Sequence, residues 1–345
     1  MKFALVSAWH VHTHKFMQKA LAKDAECLYV WDIEQERGEQ FAQQYGGRYE
    51  ADYQKILQDP CVEAVVIEAP TSMHKELILL AAQSRKHIFS EKPLALTTAD
   101  CIEIQEAVEK NGVKFVLSLE ALAHPVYQNI GSLLKEGVIG DVTSIYFRRS
   151  HGAVVHQHLP KYWFDTQQTG GGVTLDLGCH GLTLLPYFAG DPKNITCVMN
   201  ELYHSGIDEH SSTVIEFESG VIATMHVSMI GTSLDNYLEL VGTQGIIQVI
   251  GNEYEEQFVF LQSNQRTGYE KKRLLPLEEV REENPYPIEH FIDLVDHSLE
   301  RTIADYDFTV AKRVTRLIEG AYASAQMGQT ISYNTPIAKK KKKKG

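Results

Sequence analysis

The first 120 residues alternate short, mostly apolar runs with stretches of helical spacing, and that alternation leaves few folds open. Residues 3–6, 27–31, 64–67, 87–89 and 114–117 form runs of strand length bounded by polar or turn residues. Between them, residues 13–23, 34–45, 74–84 and 98–111 place apolar side chains three and four positions apart. Thr97 or Thr98, followed by Ala99-Asp100, makes a helix N-cap, and Asn111-Gly112 makes a C-terminal stop. Strands alternating with helices imply right-handed βαβ units and a doubly wound parallel sheet covered on both faces.

After a helix at 125–135 the pattern changes. Residues 142–149, 195–203, 212–217, 221–227, 237–241, 246–250 and 258–261 are extended, and Gly220 and Gly245 sit at hairpin positions. Antiparallel pairing is expected there, with two closing helices at 288–299 and 308–325. The fold class expected is therefore α/β. Residues 1–121 form a Rossmann-like dinucleotide-binding domain. Residues 122–338 form an α+β domain with a largely antiparallel open sheet, for substrate binding and oligomerisation, and 339–345 form a lysine-rich solvated tail.

Charge and cysteines narrow the function classes. The whole chain carries −12, and because six lysines lie in the run 339–344, the rest is six units more negative. So acidic a surface disfavours nucleic acid and anionic membranes as partners. Cys27, Cys61, Cys101, Cys179 and Cys197 are scattered and odd in number, which fits a reducing compartment better than a disulfide framework. The four-residue apolar run at 3–6 is too short for a signal peptide, and no 18-residue apolar run occurs, so the cytoplasm is the expected location.

Four segments carry candidate chemistry. Ser7-Ala8-Trp9-His10-Val11-His12 joins the first strand to the first helix, where dinucleotide-binding folds place G-x-G-x-x-G. All three glycine positions are substituted here, by Ser7, Trp9 and His12, although a helix N-terminus still offers a positive dipole end to a phosphate. Asp32 ends the second strand, where a carboxylate accepts from ribose hydroxyls. Arg37 opposes it as a group able to meet a 2′-phosphate. Glu91-Lys92-Pro93 follows the fourth of these strands at the sheet's carboxyl edge, where Lys92 can polarise a hydroxyl oxygen. Finally, Gly170-Gly171-Gly172 leads into Asp176-x-Gly178-x-His180, which as helix stacks Asp176 and His180 one turn apart. Gly178 and Gly181 within that helix suggest a close approach by another group. A histidine beside a carboxylate is a proton acceptor near neutral pH, while an i,i+4 surface pair is the plainer alternative.

Together these motifs resemble the glucose–fructose oxidoreductase/inositol dehydrogenase (Gfo/Idh/MocA) family across residues 1 to about 330. Asp32-x-x-x-Glu36-Arg37, Pro70-Thr71-x-x-His74 and Pro125 add to the likeness. The resemblance implies Lys92, Asp176 and His180 as catalytic residues and NAD as cofactor, with NADP as the variant choice. Cofactor contacts are then expected from Ser7, Trp9, His10, Val11, His12, Asp32, Arg37, Pro70, Thr71, His74, Glu91, Lys92 and Glu120. It also implies a sugar or polyol substrate and a homodimer or homotetramer built on the open sheet. The sequence departs from the family at the glycine loop, and at Glu120 and Leu122, where relatives usually have Asn and often Arg.

No metal site is expected: His156-x-His158 could pair on a strand, but lies in a loop. Trp163 is suited either to stacking on a sugar ring or to the core. Two other functions remain open on these residues: a lyase or glycoside hydrolase that oxidises a sugar transiently through bound NAD, and a ligand sensor without catalysis.

Overall fold

The computed structural model describes residues 1–231, 235–252, 257–276, 284–297, 299–300 and 302–334. The lysine-rich tail lies outside them. The chain divides into two compact units, and the division is less simple than one cut near 121. The first unit comprises Met1–His124, Gln167–Gly170 and Glu283–Thr315. The second comprises Pro125–Thr166, Gly171–Glu282 and Arg316–Gly345.

The first unit holds six strands: β1 Lys2–Val6, β2 Glu26–Trp31, β3 Arg48–Tyr49, β4 Ala64–Ile67, β5 His87–Ser90 and β6 Phe115–Leu117. They form one sheet in the order β3-β2-β1-β4-β5-β6, parallel throughout. β1, β4 and β6 are buried along nearly their whole length, as strands covered on both faces must be. The helices are α1 Thr13–Ala22, α2 Gln35–Tyr45, α3 Tyr53–Gln58, α4 Thr71–Gln83, α5 Thr98–Asn111 and α6 Glu120–Ala123. Thr97 caps α5 by accepting from the Asp100 amide, and Gly112 ends it in the left-handed conformation, as the sequence suggests. The chain order reverses between β1 and β4, so the carboxyl ends of these strands flank the sheet's switch point, where open α/β sheets bind ligands.

The second unit begins with α7 Pro125–Lys135. Its strands are β7 Val142–Ser150, β8 Pro192–Asn200, β9 His210–Phe217, β10 Ile222–Ser228, β11 Asp235–Gly242, β12 Gly245–Gly251, β13 Gln257–Ser263, β14 Arg273–Leu274 and β15 Ile331–Ser332. They lie in the order β14-β13-β12-β11-β7-β10-β9-β8-β15. β7 and β10 are parallel, and every other described pair is antiparallel. Between β7 and β8 come the short helices α8 Ala153–His156 and α9 Thr166–Thr169, then the long α10 Val173–Ala189, which packs on β7, β9 and β10.

Near the end of the chain lie α11 Pro287–Val295 and α12 Phe308–Met327. α11 buries Ile288, Phe291, Ile292, Leu294 and Val295 and packs against α1, β5 and β6, which is why the chain returns to the first unit. Among the described residues no helix is long and apolar enough to cross a membrane.

Candidate active site

In the first unit the predicted residues gather at the carboxyl ends of β1, β2, β4, β5 and β6. The loop after β1 makes its turn without glycine. Ser7 takes φ of +69°, the left-handed conformation that glycine ordinarily supplies, and is fully buried. Trp9 is buried as well, at 3% exposure, while Val11 is the loop's most exposed residue. Much of the loop's amide surface is engaged internally. The Ser7 amide donates to the Trp31 carbonyl, Ala8 to Asp32, His10 to the Glu68 carbonyl, His12 to His10 Nδ1 and Thr13 to the His10 carbonyl.

Asp32 is saturated. Its Oδ2 accepts from Ser7 Oγ (3.1 Å), the Ala8 amide (2.8 Å) and Arg37 Nε (2.9 Å). Its Oδ1 accepts from the Glu34 amide (2.8 Å) and Arg37 Nη2 (2.6 Å). Five donors fill the four or so lone-pair sites of a carboxylate, so in this state Asp32 binds the loop and Arg37 together rather than standing open to a ribose.

His74 likewise faces inward. Its ring nitrogens lie 3.0 Å from the Pro93 carbonyl and 2.9 Å from the Ala69 carbonyl, and the side chain is fully buried. It holds the turn after β5, which contains the cis Lys92–Pro93 bond, and presents no exposed face to a cofactor. Pro70 and Thr71 open α4 beside it.

Around Glu91 the groups are ionisable and buried. Glu91 Oε1 accepts from the Lys92 amide at 2.9 Å. Its Oε2 lies 3.3 Å from His12 Nδ1 and 3.7 Å from His10 Nδ1. Glu120 Oε1 is 3.7 Å from His12 Nδ1, and its Oε2 accepts from Lys15 Nζ at 2.7 Å. Burial holds His10 well below the usual imidazole range, helped by the charges of His12, Lys92 and His74. Burial opposes the charge on His12 too, but Glu91 and Glu120 outweigh it and raise that imidazole. Glu68, fully buried and facing the charges of Glu91 and Glu120, is pushed well above the carboxylate range. Glu120 is held low because His12 and Lys15 outweigh its burial. Where the sequence suggests no metal site, the ligand atoms of His10, His12 and Glu91 all lie within 4.8 Å of one another. His156 and His158 form no such group among the described residues; the His158 ring lies against that of His151 instead.

Lys92 belongs to the first unit, whereas Asp176 and His180 lie one turn apart on α10 in the second. Thirteen of the 17 residues of α10 are buried, and Asp176 and His180 are the only ones before Tyr187 that are not. An ionisable pair on the one accessible stripe of so buried a helix is not an ordinary surface pair.

Gly171 and Gly172, just before the helix, have a structural reason. A Cβ on Gly171 would collide with Tyr322 Oη, and one on Gly172 with the Asp208 carbonyl. Asp208 caps α10 from afar: its carboxylate accepts from the Gly172 amide (2.7 Å) and the Thr174 amide (2.8 Å), and Tyr322 Oη donates to it at 2.7 Å. The close approach expected at Gly181 comes from the protein's own Met225 and Phe147, which lie 2.5 and 2.8 Å from where a methyl group would sit, while Gly178 has room.

Sequence reasoning passed over His151, whose charge senses Asp176; burial lowers its imidazole, and Asp176 works against that. Its only sequence signal was its place just past the end of a predicted strand. Trp163 is buried at 6% exposure, as a core residue is.

Comparison with known proteins accounts for both units. Residues 6–119 match the oxidoreductase family with an NAD-binding Rossmann fold, and residues 127–248 match the GFO/IDH/MocA C-terminal domain. The chain belongs to the GFO/IDH/MocA family of oxidoreductases. It is 26% identical over 247 residues to a trans-1,2-dihydrobenzene-1,2-diol dehydrogenase of Xenopus tropicalis, covering 71% of this chain and 73% of that protein. It is 27% identical over 298 residues to a scyllo-inositol 2-dehydrogenase (NAD(+)) of Bacillus subtilis, covering 83% of each. In fold it is similar to a levoglucosan dehydrogenase solved with NADH and levoglucosan, with a TM-score of 0.82 at 18% identity over 97% of this chain and 100% of that one.

Proposed function

We propose that this protein is an NAD-dependent oxidoreductase acting on a secondary alcohol of a sugar, inositol or related polyol. The observation that carries this reading is the Asp176–His180 pair on the accessible stripe of α10. A nicotinamide dinucleotide fits the first unit in that Ser7 supplies the glycine-like turn at the N-terminus of α1. The loop from Ser7 through Trp9, His10 and Val11 to His12 would hold its diphosphate, with Asp32 and Arg37 near the adenosine ribose. Pro70, Thr71, Glu91, Lys92 and Glu120 would line the remainder. When bound, the cofactor supplies the hydride-accepting ring.

The chain's own residues do the rest. His180 removes the proton of the substrate hydroxyl, and Asp176 orients that imidazole or the neighbouring hydroxyls. Lys92 donates to the same oxygen and stabilises the alkoxide charge as it develops. Polyol turnover with NAD, followed by NADH absorbance, tests this. Product without net NADH would signify transient oxidation instead, and bound NAD without turnover a sensor.

NAD is preferred over NADP, because Asp32 repels a 2′-phosphate and Arg37 is held by Asp32 and Glu34. Calorimetric titration showing equal or tighter NADP binding would overturn that assignment. The sheet face that carries Tyr146, Val198, Val214, Ile222, Ile250 and Phe258 in exposed positions supports a homodimer or homotetramer, so Val198→Lys is expected to lower the sedimentation mass. Five scattered cysteines, none joined in a disulfide, support a cytoplasmic setting.

A further inference from the structure

The cluster at the carboxyl ends of β1 and β5 contains more than a cofactor loop requires. His10 and His12 come from the loop that replaces the glycine cradle, and Glu91 from the turn after β5. Their rings and carboxylate converge: the imidazole centroids are 4.4 Å apart with planes at 68°, edge to face rather than stacked. Glu91 Oε1 is taken by the Lys92 amide, which leaves Oε2 as the atom directed at both imidazoles.

A tetrahedral zinc-type ion bound by nitrogen and oxygen at 2.0–2.1 Å requires ligand atoms about 3.3 Å apart. Here His12 Nδ1 is 3.3 Å and His10 Nδ1 is 3.7 Å from Glu91 Oε2, and all three ligand atoms lie within 4.8 Å. The His12–Glu91 spacing matches a coordination sphere, and His10 Nδ1 joins it by giving up the hydrogen bond it accepts from the His12 amide at 3.2 Å. The surroundings supply further oxygens. Glu68 is fully buried beside His10, whose amide donates to the Glu68 carbonyl, and Glu68 Oε1 has no hydrogen-bond partner among the described residues. Glu120 Oε1 stands 3.7 Å from His12 Nδ1. Two charged carboxylates, Glu91 and Glu120, thus stand near the lysines Lys15 and Lys92, while Glu68, pushed well above the carboxylate range, adds an unpartnered oxygen. Glu91 and His10 are buried while His12 retains some exposure, which gives an ion a dry site with an entrance.

We propose that His10, His12 and Glu91 form a binding site for a divalent cation of the zinc class, with three protein ligands and a fourth position open to a water or a ligand oxygen. Two histidines and one glutamate are the donor set of open, ligand-accepting zinc sites rather than closed structural ones. The site does not depend on the dehydrogenase reading. It is a property of the first unit alone, and its tests need neither cofactor nor substrate.

The experiment uses the full chain stripped with a chelator and titrated with Co²⁺, then with Zn²⁺ in competition. The expected result is one equivalent of cobalt giving the visible bands of a four-coordinate ion, lost on adding one equivalent of zinc. His10→Asn, His12→Asn and Glu91→Gln should each weaken binding by at least about a hundredfold, since even outer-shell changes weaken metal sites by about 10–100-fold. His156→Asn should leave binding unchanged.

Because the three variants alter buried positions, imidazole nitrogen–proton NMR spectra of the wild type with and without zinc provide a readout free of substitution. The ring-nitrogen resonances of His10 and His12 should move, and those of His74 should not. An absence of four-coordinate bands, binding indifferent to all three variants, or immobile His10 and His12 resonances would overturn the site. The cluster would then be an imidazolium held between Glu91 and Glu120.

Discussion

The loop after β1 and the helix α10 both carry predicted site residues, yet they are built in opposite ways. The loop has lost its sequence signature and kept its shape: Ser7 adopts the positive φ, Asp32 ties the turn to Arg37, and buried charges crowd its edge. α10 has kept its signature, and nearly everything around it is packed shut except Asp176 and His180. A motif can therefore vanish from the sequence while its backbone conformation survives. A run of glycines can in turn record internal packing rather than a ligand.

Substitutions can break or sharpen this contrast, and the largest effect is expected in the loop. Trp9→Gly removes a buried indole and should lower stability by about 3–5 kcal/mol in chemical denaturation. If Trp9 serves only as core, cofactor affinity per folded molecule will not change.

On α10 the consequence is chemical. His180→Ala, and Lys92→Ala in the first unit, should each lower kcat at least about a hundredfold with cofactor binding retained. In the proposed mechanism both groups serve one proton transfer, so the double variant should be much less than additive. Near-normal rates in both single variants would remove the catalytic assignment.

Next comes the distant cap. Asp208→Ala leaves the Thr174 amide and Tyr322 Oη without their acceptor and the Gly172 amide with Tyr322 Oη alone, and about 2 kcal/mol of stability should be lost. Thermal unfolding checks it, and Asp208→Asn should recover part of the loss.

The two helix glycines should then separate. Gly181→Ala drives a methyl into Met225 and Phe147 and should destabilise by about 1–3 kcal/mol. Gly178→Ala meets Met225 at 3.4 Å, the Val173 carbonyl at 3.7 Å and Thr174 at 3.8 Å, all ordinary contacts, and should gain up to about 1 kcal/mol of helix propensity. Equal effects would mean that the packing of α10 on its sheet is misread.

The smallest effect is a pH response. Burial pushes Glu209 up, but the amides of Tyr203, Ser205 and Leu202 outweigh it and hold this carboxylate below its ordinary range. A depressed folded pKa contributes stability that is present above the unfolded carboxylate pKa and lost as pH falls through the folded one. Glu209→Gln should flatten that acid limb of the stability curve, and an unchanged limb would exclude Glu209 as its source.

The parallel sheet was legible because β1, β4 and β5 are buried on both faces and therefore read as apolar runs. β3, two residues long, leaves no periodic trace, and α3 is only six residues. The return of α11 to the first unit was not legible, since an amphipathic pattern says that a face is buried and not against what. In the site, the i,i+4 stacking of Asp176 and His180 followed from helical spacing alone. The bond of His74 to the Pro93 carbonyl, the reach of Ser7 and Ala8 to Asp32, and the meeting of His10 and His12 with Glu91 are long-range contacts. No local pattern encodes them.

The tight packing of α10 has a consequence for how such a protein can change. A helix fixed at its start by Asp208 and Tyr322, with no room for a methyl at Gly171 and Gly172 just before it or at Gly181 within it, offers few positions besides Gly178 at which selection can experiment. Substitutions are absorbed more readily in the largely exposed stretch 155–162. A library confined to α10 should yield more unfolded clones than one confined to 155–162.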